Sequence, residues 1–218
     1  IRVEDARVFK ARHGLVAQLI ASGWITGLRI DHPDGLWDPQ AYYQHLHALY
    51  REHRPEQAAP QAQQIYIVAE KILSGEEPLP KDWPVCGTTG YDLLNLLNRL
   101  LVSGPGLDKL RKAYPDLGGP ALPPADVLYE SKQTVLIDAM SSELQMLARQ
   151  LYRIAQQDRA AVDFTLPGLQ RALREVISCM TVYRTYVRPH SWDVSDDDYR
   201  QINFAVQMAK RRNHPKNW

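Results

Sequence analysis

Arg29 and Asp31 stand two residues apart at the close of a short apolar run, 25–30, and Glu70 closes a second such run, 64–69. Side chains alternate along an extended strand, so Arg29 and Asp31 project to one face, where the guanidinium can hold the carboxylate ionised. An ionised carboxylate is what covalent catalysis asks of a nucleophile. The same spacing also fits a structural ion pair at a strand end. Glu70 sits at the mouth of an apolar strand, where desolvation can raise a carboxyl pKa as a general acid requires, and a solvated strand terminus explains a Glu there equally. The pairing carries more than either residue. Two carboxylates on the same ends of neighbouring or near-neighbouring parallel strands can flank one sugar bond, and a separation of roughly 5 Å predicts retention of configuration.

The elements that would position this pair follow from periodicity. Over 3–22 the apolar residues Val8, Leu15, Val16 and Leu19 recur at helical spacing, and Gly23 supplies a stop. A strand over 25–30 follows, then breakers at Gly35 and Pro39, a helix over 39–54, a polar loop rich in Ala, Gln and Pro, and a second strand over 64–69. Two parallel strands joined by a helix form a βαβ unit, and a (β/α) barrel keeps its chemistry at such strand ends. Beyond Gly90 five helical stretches are expected with no strand between them. The clearest is one long helix over about 124–158, striped by Met140, Leu144, Leu147, Leu151 and Ile154. Thr165 with Pro167 should start another helix, and Ser195 with Asp198 the last, in a capping-box-like pattern.

Composition narrows the function classes. The 218 residues can bury a sizeable core, and 44% hydrophobic with 23% charged residues is ordinary for a soluble domain. With 26 basic against 25 acidic residues, no electrostatic footprint points to nucleic acid or to an anionic membrane surface. A neutral or small substrate is favoured. No apolar run reaches the roughly 20 residues that span a bilayer, and no signal-peptide pattern opens the chain. Cys86 and Cys179 match no metal spacing and read as two free buried thiols, which suits a cytoplasmic location. The chain begins with Ile on a helical pattern, which suggests a piece of a longer polypeptide.

The run Arg29-Ile30-Asp31-His32-Pro33-Asp34-Gly35-Leu36 resembles the nucleophile motif of the α-amylase superfamily of glycoside hydrolases and, more narrowly, of the maltooligosyl trehalose synthases. The same family is suggested by 68–73, Glu76, Leu79-Pro80, Trp83-Pro84-Val85, Gly87-Thr88-Thr89-Gly90-Tyr91-Asp92 and 182–187, which together span most of the chain. The resemblance implies an α/β fold: a partial (β/α)8 TIM barrel segment over 1–90, then a mostly helical inserted domain over 91–218, predominantly helical overall. It implies that Asp31 attacks the anomeric carbon, that Glu70 protonates the leaving oxygen and deprotonates the acceptor, and that Arg29 supports Asp31. The reaction implied is intramolecular transglucosylation, turning the reducing-end α-1,4 linkage of a maltooligosaccharide into an α,α-1,1 linkage.

His32 and Asp34 could hydrogen-bond sugar hydroxyls, although Pro33-Asp34-Gly35 is also a good turn former. Lys71, Trp83 and Tyr91 are further substrate-binding candidates. The aromatic faces suit sugar rings, and Trp83 equally suits packing at a domain junction. Arg184 and His190 carry no role beyond the resemblance. A third carboxylate and an Asn-His motif used by the superfamily are absent, which fits a chain holding about a quarter of the barrel and makes the isolated piece an expected non-catalyst. No metal or organic cofactor is implied, since carboxylates alone supply this chemistry. The expected partners are the maltooligosaccharide, the remainder of the parent polypeptide, and a trehalohydrolase that releases trehalose. An α-amylase-like hydrolase and a non-catalytic glucan-binding scaffold stay open as alternatives.

Overall fold

A computed structural model describes residues 1–54, 64–75, 77–119, 122–188 and 194–213. Glu76 and His190 lie outside the described residues. The chain divides into two compact units, Ile1–Val102 with Val182–His190, and Ser103–Thr181 with Ser191–Trp218.

The first unit opens with helix α1 (Ala6–Ala21), whose N-terminus is capped by Asp5 accepting from the Arg7 amide at 2.9 Å. It buries Phe9, His13, Ala17 and Ile20, one face at helical spacing, and Gly23 in the left-handed region ends it where expected. Strand β1 (Gly27–Ile30) leads through a 3-10 turn (Pro33–Gly35) into α2 (Pro39–His53). Asp38 caps α2 by accepting from the Ala41 amide at 2.9 Å, and Pro39 occupies the first turn, where its missing N–H costs nothing. Strand β2 (Tyr66–Ala69) then pairs parallel to β1, with Gly27 opposite Tyr66 and Ile30 opposite Ala69. The expected βαβ unit is therefore present, each strand two residues shorter at its start than the apolar run.

A third strand, β3 (Gly87–Thr88), pairs parallel to β2 and gives the sheet order β1-β2-β3. Two residues carry no periodicity, so nothing in the pattern of 84–90 announced it. Helix α3 (Tyr91–Leu100) follows directly. The core of this unit gathers Phe9, Ile20, Tyr43, Leu46, Ile65, Ile67, Ala69 and Trp83 around β2. Burial of such side chains contributes about 1.5–3 kcal/mol each, set against the cost of ordering the chain.

The second unit consists of α4 (Gly104–Ala113), a 3-10 turn (Pro115–Leu117), α5 (Pro124–Asp138), α6 (Ser141–Ala155), α7 (Leu166–Ser178) and α8 (Asp196–Arg212). Among the described residues no strand follows Gly90, as expected, but six helices rather than five do. The anticipated long helix over 124–158 is broken at Ala139 and Met140, where ψ climbs from −26° to 26°, and α6 restarts with Glu143 in its first turn, favourable at a helix N-terminus. The apolar stripe runs in phase across the break and hides it. The buried face of α6 is also not the stripe itself: Leu144, Ala148 and Ala155 are covered, whereas Leu147 and Ile154 are exposed.

Thr165 caps α7 by accepting from Gly168, and Ser195 caps α8 by accepting from Asp198 at 3.1 Å, both as expected. Glu175 on α7 accepts hydrogen bonds from Tyr129, from Gln133 Nε2 at 3.2 Å and from Asn213 Nδ2 at 2.9 Å, tying α5, α7 and the end of α8 together. Both cysteines are free, but Cys86 is exposed and Cys179 only half-buried, which corrects the expectation of buried thiols. Among the described residues no helix is long and apolar enough to cross a membrane.

Candidate active site at the strand ends

The three parallel strands end side by side. The Glu70 amide donates to the Ile30 carbonyl at 2.8 Å and the Thr89 amide to the Ala69 carbonyl at 3.0 Å, so the ladder continues one step past each strand. Asp31 and Glu70 are the residues immediately after the last paired positions, Ile30 and Ala69. Paired residues of parallel strands point the same way, and neighbouring strands lie about 4.8 Å apart. The sheet thus sets the two carboxylates on adjacent strand ends.

Arg29 Nη1 donates to Asp31 Oδ1 at 2.8 Å, the same-face contact that the two-residue spacing predicts. Both side chains are more than half exposed, so this pair is worth at most about 1 kcal/mol and serves orientation more than stability. His32 is the only described non-glycine residue with positive φ, at 44°, a conformation that costs about 1–3 kcal/mol. It turns the His32 amide toward Glu70, donating to Oε2 at 3.0 Å. The residue after one carboxylate therefore holds the other. Gly35 leaves room for the His32 ring, because a Cβ there would lie 2.7 Å from it and the ring would have to move.

The turn after β1 is held from within the unit. Lys71 is fully buried, its ammonium 3.2 Å from Asp34 Oδ2 and 2.7 Å from Glu77 Oε1. Tyr186 donates its hydroxyl to Asp34 Oδ1. Arg184 Nη1 donates to the carbonyls of Asp34, at 3.0 Å, and Leu36, at 2.6 Å. Burial pushes the Tyr186 phenol well above its ordinary pKa, reinforced by the Asp34 carboxylate it bonds, so it stays a neutral donor.

These contacts change the standing of three candidates. Lys71 and Trp83 have buried side chains, Trp83 at 5% exposure with its ring edge-on to Tyr186 at 5.0 Å and tilted on Tyr43 at 5.3 Å. They support the turn and the core rather than present a surface to sugar, and the Asp34 carboxylate is nearly covered by Lys71 and Tyr186. His32 and Tyr91 remain exposed. Tyr91 opens α3 after Gly90, whose φ of 96° favours glycine; Thr88 Oγ1 donates to Asp92 Oδ2 at 2.7 Å and fixes that corner beside Glu70. Glu77, Thr88, Arg184 and Tyr186 were not singled out as site residues from sequence. Arg184 could not be, since its acceptors are main-chain carbonyls. Tyr183, exposed and edge-on to the His32 ring at 5.8 Å, also joins this rim.

No family profile matches the chain. A protein of Mycobacterium tuberculosis, named provisionally as a maltooligosyl trehalose synthase, is 33% identical over 171 residues, 78% of this chain and 21% of its own length. The structure of maltooligosyltrehalose synthase from Arthrobacter ramosus superposes with a TM-score of 0.75 at 31% identity, over 99% of this chain and 24% of that one. A Sulfolobus tokodaii protein described as a hypothetical maltooligosyl trehalose synthase superposes with a TM-score of 0.67 at 25% identity, over 97% of this chain and 25% of that one. The chain spans about a fifth to a quarter of the length of these relatives. By sequence and by fold, then, it is a homologue of one segment of the maltooligosyl trehalose synthases.

Proposed function

We propose that this chain carries the nucleophile and the general acid/base of an intramolecular α-glucan transglucosylase that forms trehalose-ended maltooligosaccharides. The observation that carries the reading is the placement of Asp31 and Glu70 one residue beyond paired positions on adjacent parallel strands, joined through the His32 amide. The similarity to named synthases supports the substrate class.

In this mechanism the Asp31 carboxylate attacks the anomeric carbon of the penultimate glucose. The C1–O4 bond to the reducing-end glucose breaks as Glu70 gives its proton to O4, leaving a glycosyl ester on Asp31. The freed glucose stays bound, Glu70 takes the proton of its C1 hydroxyl, and that oxygen displaces Asp31 to form the α,α-1,1 bond. Two inversions retain configuration, and the net change is isomerisation. Arg29 orients Asp31 through its 2.8 Å bond, and His32 and Tyr91 contact sugar. The chemistry asks for no cofactor.

The fold supports a fuller architecture in the whole protein. Strands in the order β1-β2-β3 with α1 before β1 and α2 between β1 and β2 are read as part of a (β/α)8 barrel over 1–90, and 91–218 as a helical insertion. That insertion, with cover from the rest of the polypeptide, would keep water from the glycosyl ester, since water would give hydrolysis. A cytoplasmic setting and a trehalohydrolase acting on the product complete the proposal.

The complete polypeptide is assayed with maltopentaose. Reducing ends should fall while chain length is unchanged, and Asp31→Ala should abolish turnover. Undiminished activity in Asp31→Ala sinks the assignment, and rising reducing sugar would show a hydrolase instead.

A further inference from the structure

Three parts of the chain remote in sequence converge on the turn that follows Asp31. Lys71 comes from the residue after Glu70, Glu77 from the loop beyond it, and Arg184 and Tyr186 from the segment 182–188 that rejoins this unit after the helical one. The charges balance, with Lys71 and Arg184 against Asp34 and Glu77. Arg184 also stacks over the Tyr186 ring at 5.1 Å, and Arg188 pairs with Asp82 at 2.9 Å, so the segment is pinned along its length.

The site needs such a device. The His32 backbone is in a costly conformation, and a turn in that state persists only when its surroundings over-determine it. His32 itself is exposed and contributes little packing. What fixes the turn are the two carbonyls held by Arg184 and the Asp34 carboxylate held between Lys71 and Tyr186. Lys71 directly follows Glu70, so the buried Lys71 also anchors the backbone that carries Glu70.

We propose that Arg184, Tyr186 and Lys71 are positioning residues that set the separation of Asp31 and Glu70 by clamping the 32–36 turn. None of the three touches the reacting atoms. The inference rests on the reading of Asp31 and Glu70 as the catalytic pair and goes beyond it.

The test uses the complete polypeptide and maltopentaose, with Tyr186→Phe, Asp34→Asn and the double variant compared for kcat, KM, product and melting temperature. Each single variant should lower kcat by about 10- to 100-fold, as expected for a displaced reacting group. KM should stay within about twofold, because binding of the ground state is untouched. The double variant should be no worse than the larger single effect, since both act through one contact. The share of hydrolysis over transfer should rise. Arg184→Lys provides a second probe if Tyr186→Phe folds poorly: it keeps the charge but lacks the planar fork, and should lower kcat with little change in KM. Parental kcat per folded molecule in both Tyr186→Phe and Arg184→Lys, with only the melting temperature lowered, overturns the proposal. Asp31→Ala run in parallel separates the two claims. If it is inactive while those variants keep parental kcat, the clamp alone is refuted; if it is active, the catalytic pair and the clamp fall together.

Discussion

The interiors of the sheet-bearing unit and of the helical unit are built from apolar residues of different size. Around β2 the side chains of Ile20, Tyr43, Leu46, Ile67 and Ala69 are almost wholly covered. In the helical unit the covered apolar residues, among those described, are Leu136, Leu144 and four alanines, Ala148, Ala155, Ala205 and Ala209. Met146, Leu147, Ile154, Tyr199 and Phe204 stay exposed there. A sheet flanked by helices closes a core of large residues, whereas helices meeting at alanines leave wide stripes outside. The polar contacts follow suit. The first unit buries a whole ammonium with its two carboxylates, while the second ties its helices through part-buried groups on Glu175. Geometry held by buried charge is stiff and vulnerable to single changes.

The largest effect that could break this contrast is expected at Lys71. Lys71→Ala leaves Asp34 and Glu77 buried without their cation and should cost about 3–5 kcal/mol, read by denaturant unfolding followed through Trp83. A loss below about 1 kcal/mol would place Lys71 among the ordinary surface cations. Leu46→Ala should cost about 2–5 kcal/mol by the same assay, as a cavity in the core does. In the helical unit the expected changes are smaller. Ser195→Ala removes the cap of α8 and should cost about 1 kcal/mol, seen as faster amide exchange confined to that helix.

Tyr129 sharpens the contrast through pH. Burial, together with its bond to Glu175 and the repulsion that carboxylate would exert on a phenolate, pushes the Tyr129 phenol up to about 12. The folded unit then holds this proton more tightly than the unfolded chain, whose tyrosine titrates near 10.0. Its stabilising contribution is complete below that value and is lost as pH rises toward about 12, so Tyr129→Phe should flatten the alkaline fall in stability of the helical unit. An identical pH profile in the variant would overturn this. The smallest effect should be at Leu97 on α3, exposed at 50%, where Leu97→Ala should stay within about 0.5 kcal/mol in this chain.

How much of this was legible in the sequence depended on range. Local patterns carried α1, α2, the two strands and the caps Thr165 and Ser195, because each is written within a few residues. Asp31 and Glu70 were legible as a pair because each closes an apolar run, and the register then placed them on adjacent strands. What stayed hidden lacked a local signature. The two residues of β3 have no period, the break at Ala139 and Met140 falls inside an unbroken stripe, and the Arg184 and Tyr186 contacts join residues with no pattern in common. The burial of Lys71 and Trp83 was hidden for the same reason: an ammonium beside Glu70 and an indole near a strand end look accessible until distant partners cover them.

The bonds from Arg184 and Tyr186 to Asp34 bridge 150 and 152 residues. During synthesis at about 5–20 residues per second, the turn after Asp31 therefore waits about 8–30 s for its partners to leave the ribosome. For that interval the β1 and β2 ends can pair, but the corner that carries Asp31 and Glu70 stands unlatched. Maturation of the site is thus timed by translation of the helices encoded between its two halves, and a ribosome stalled in that stretch would leave a nascent chain with its carboxylates made and not yet aligned.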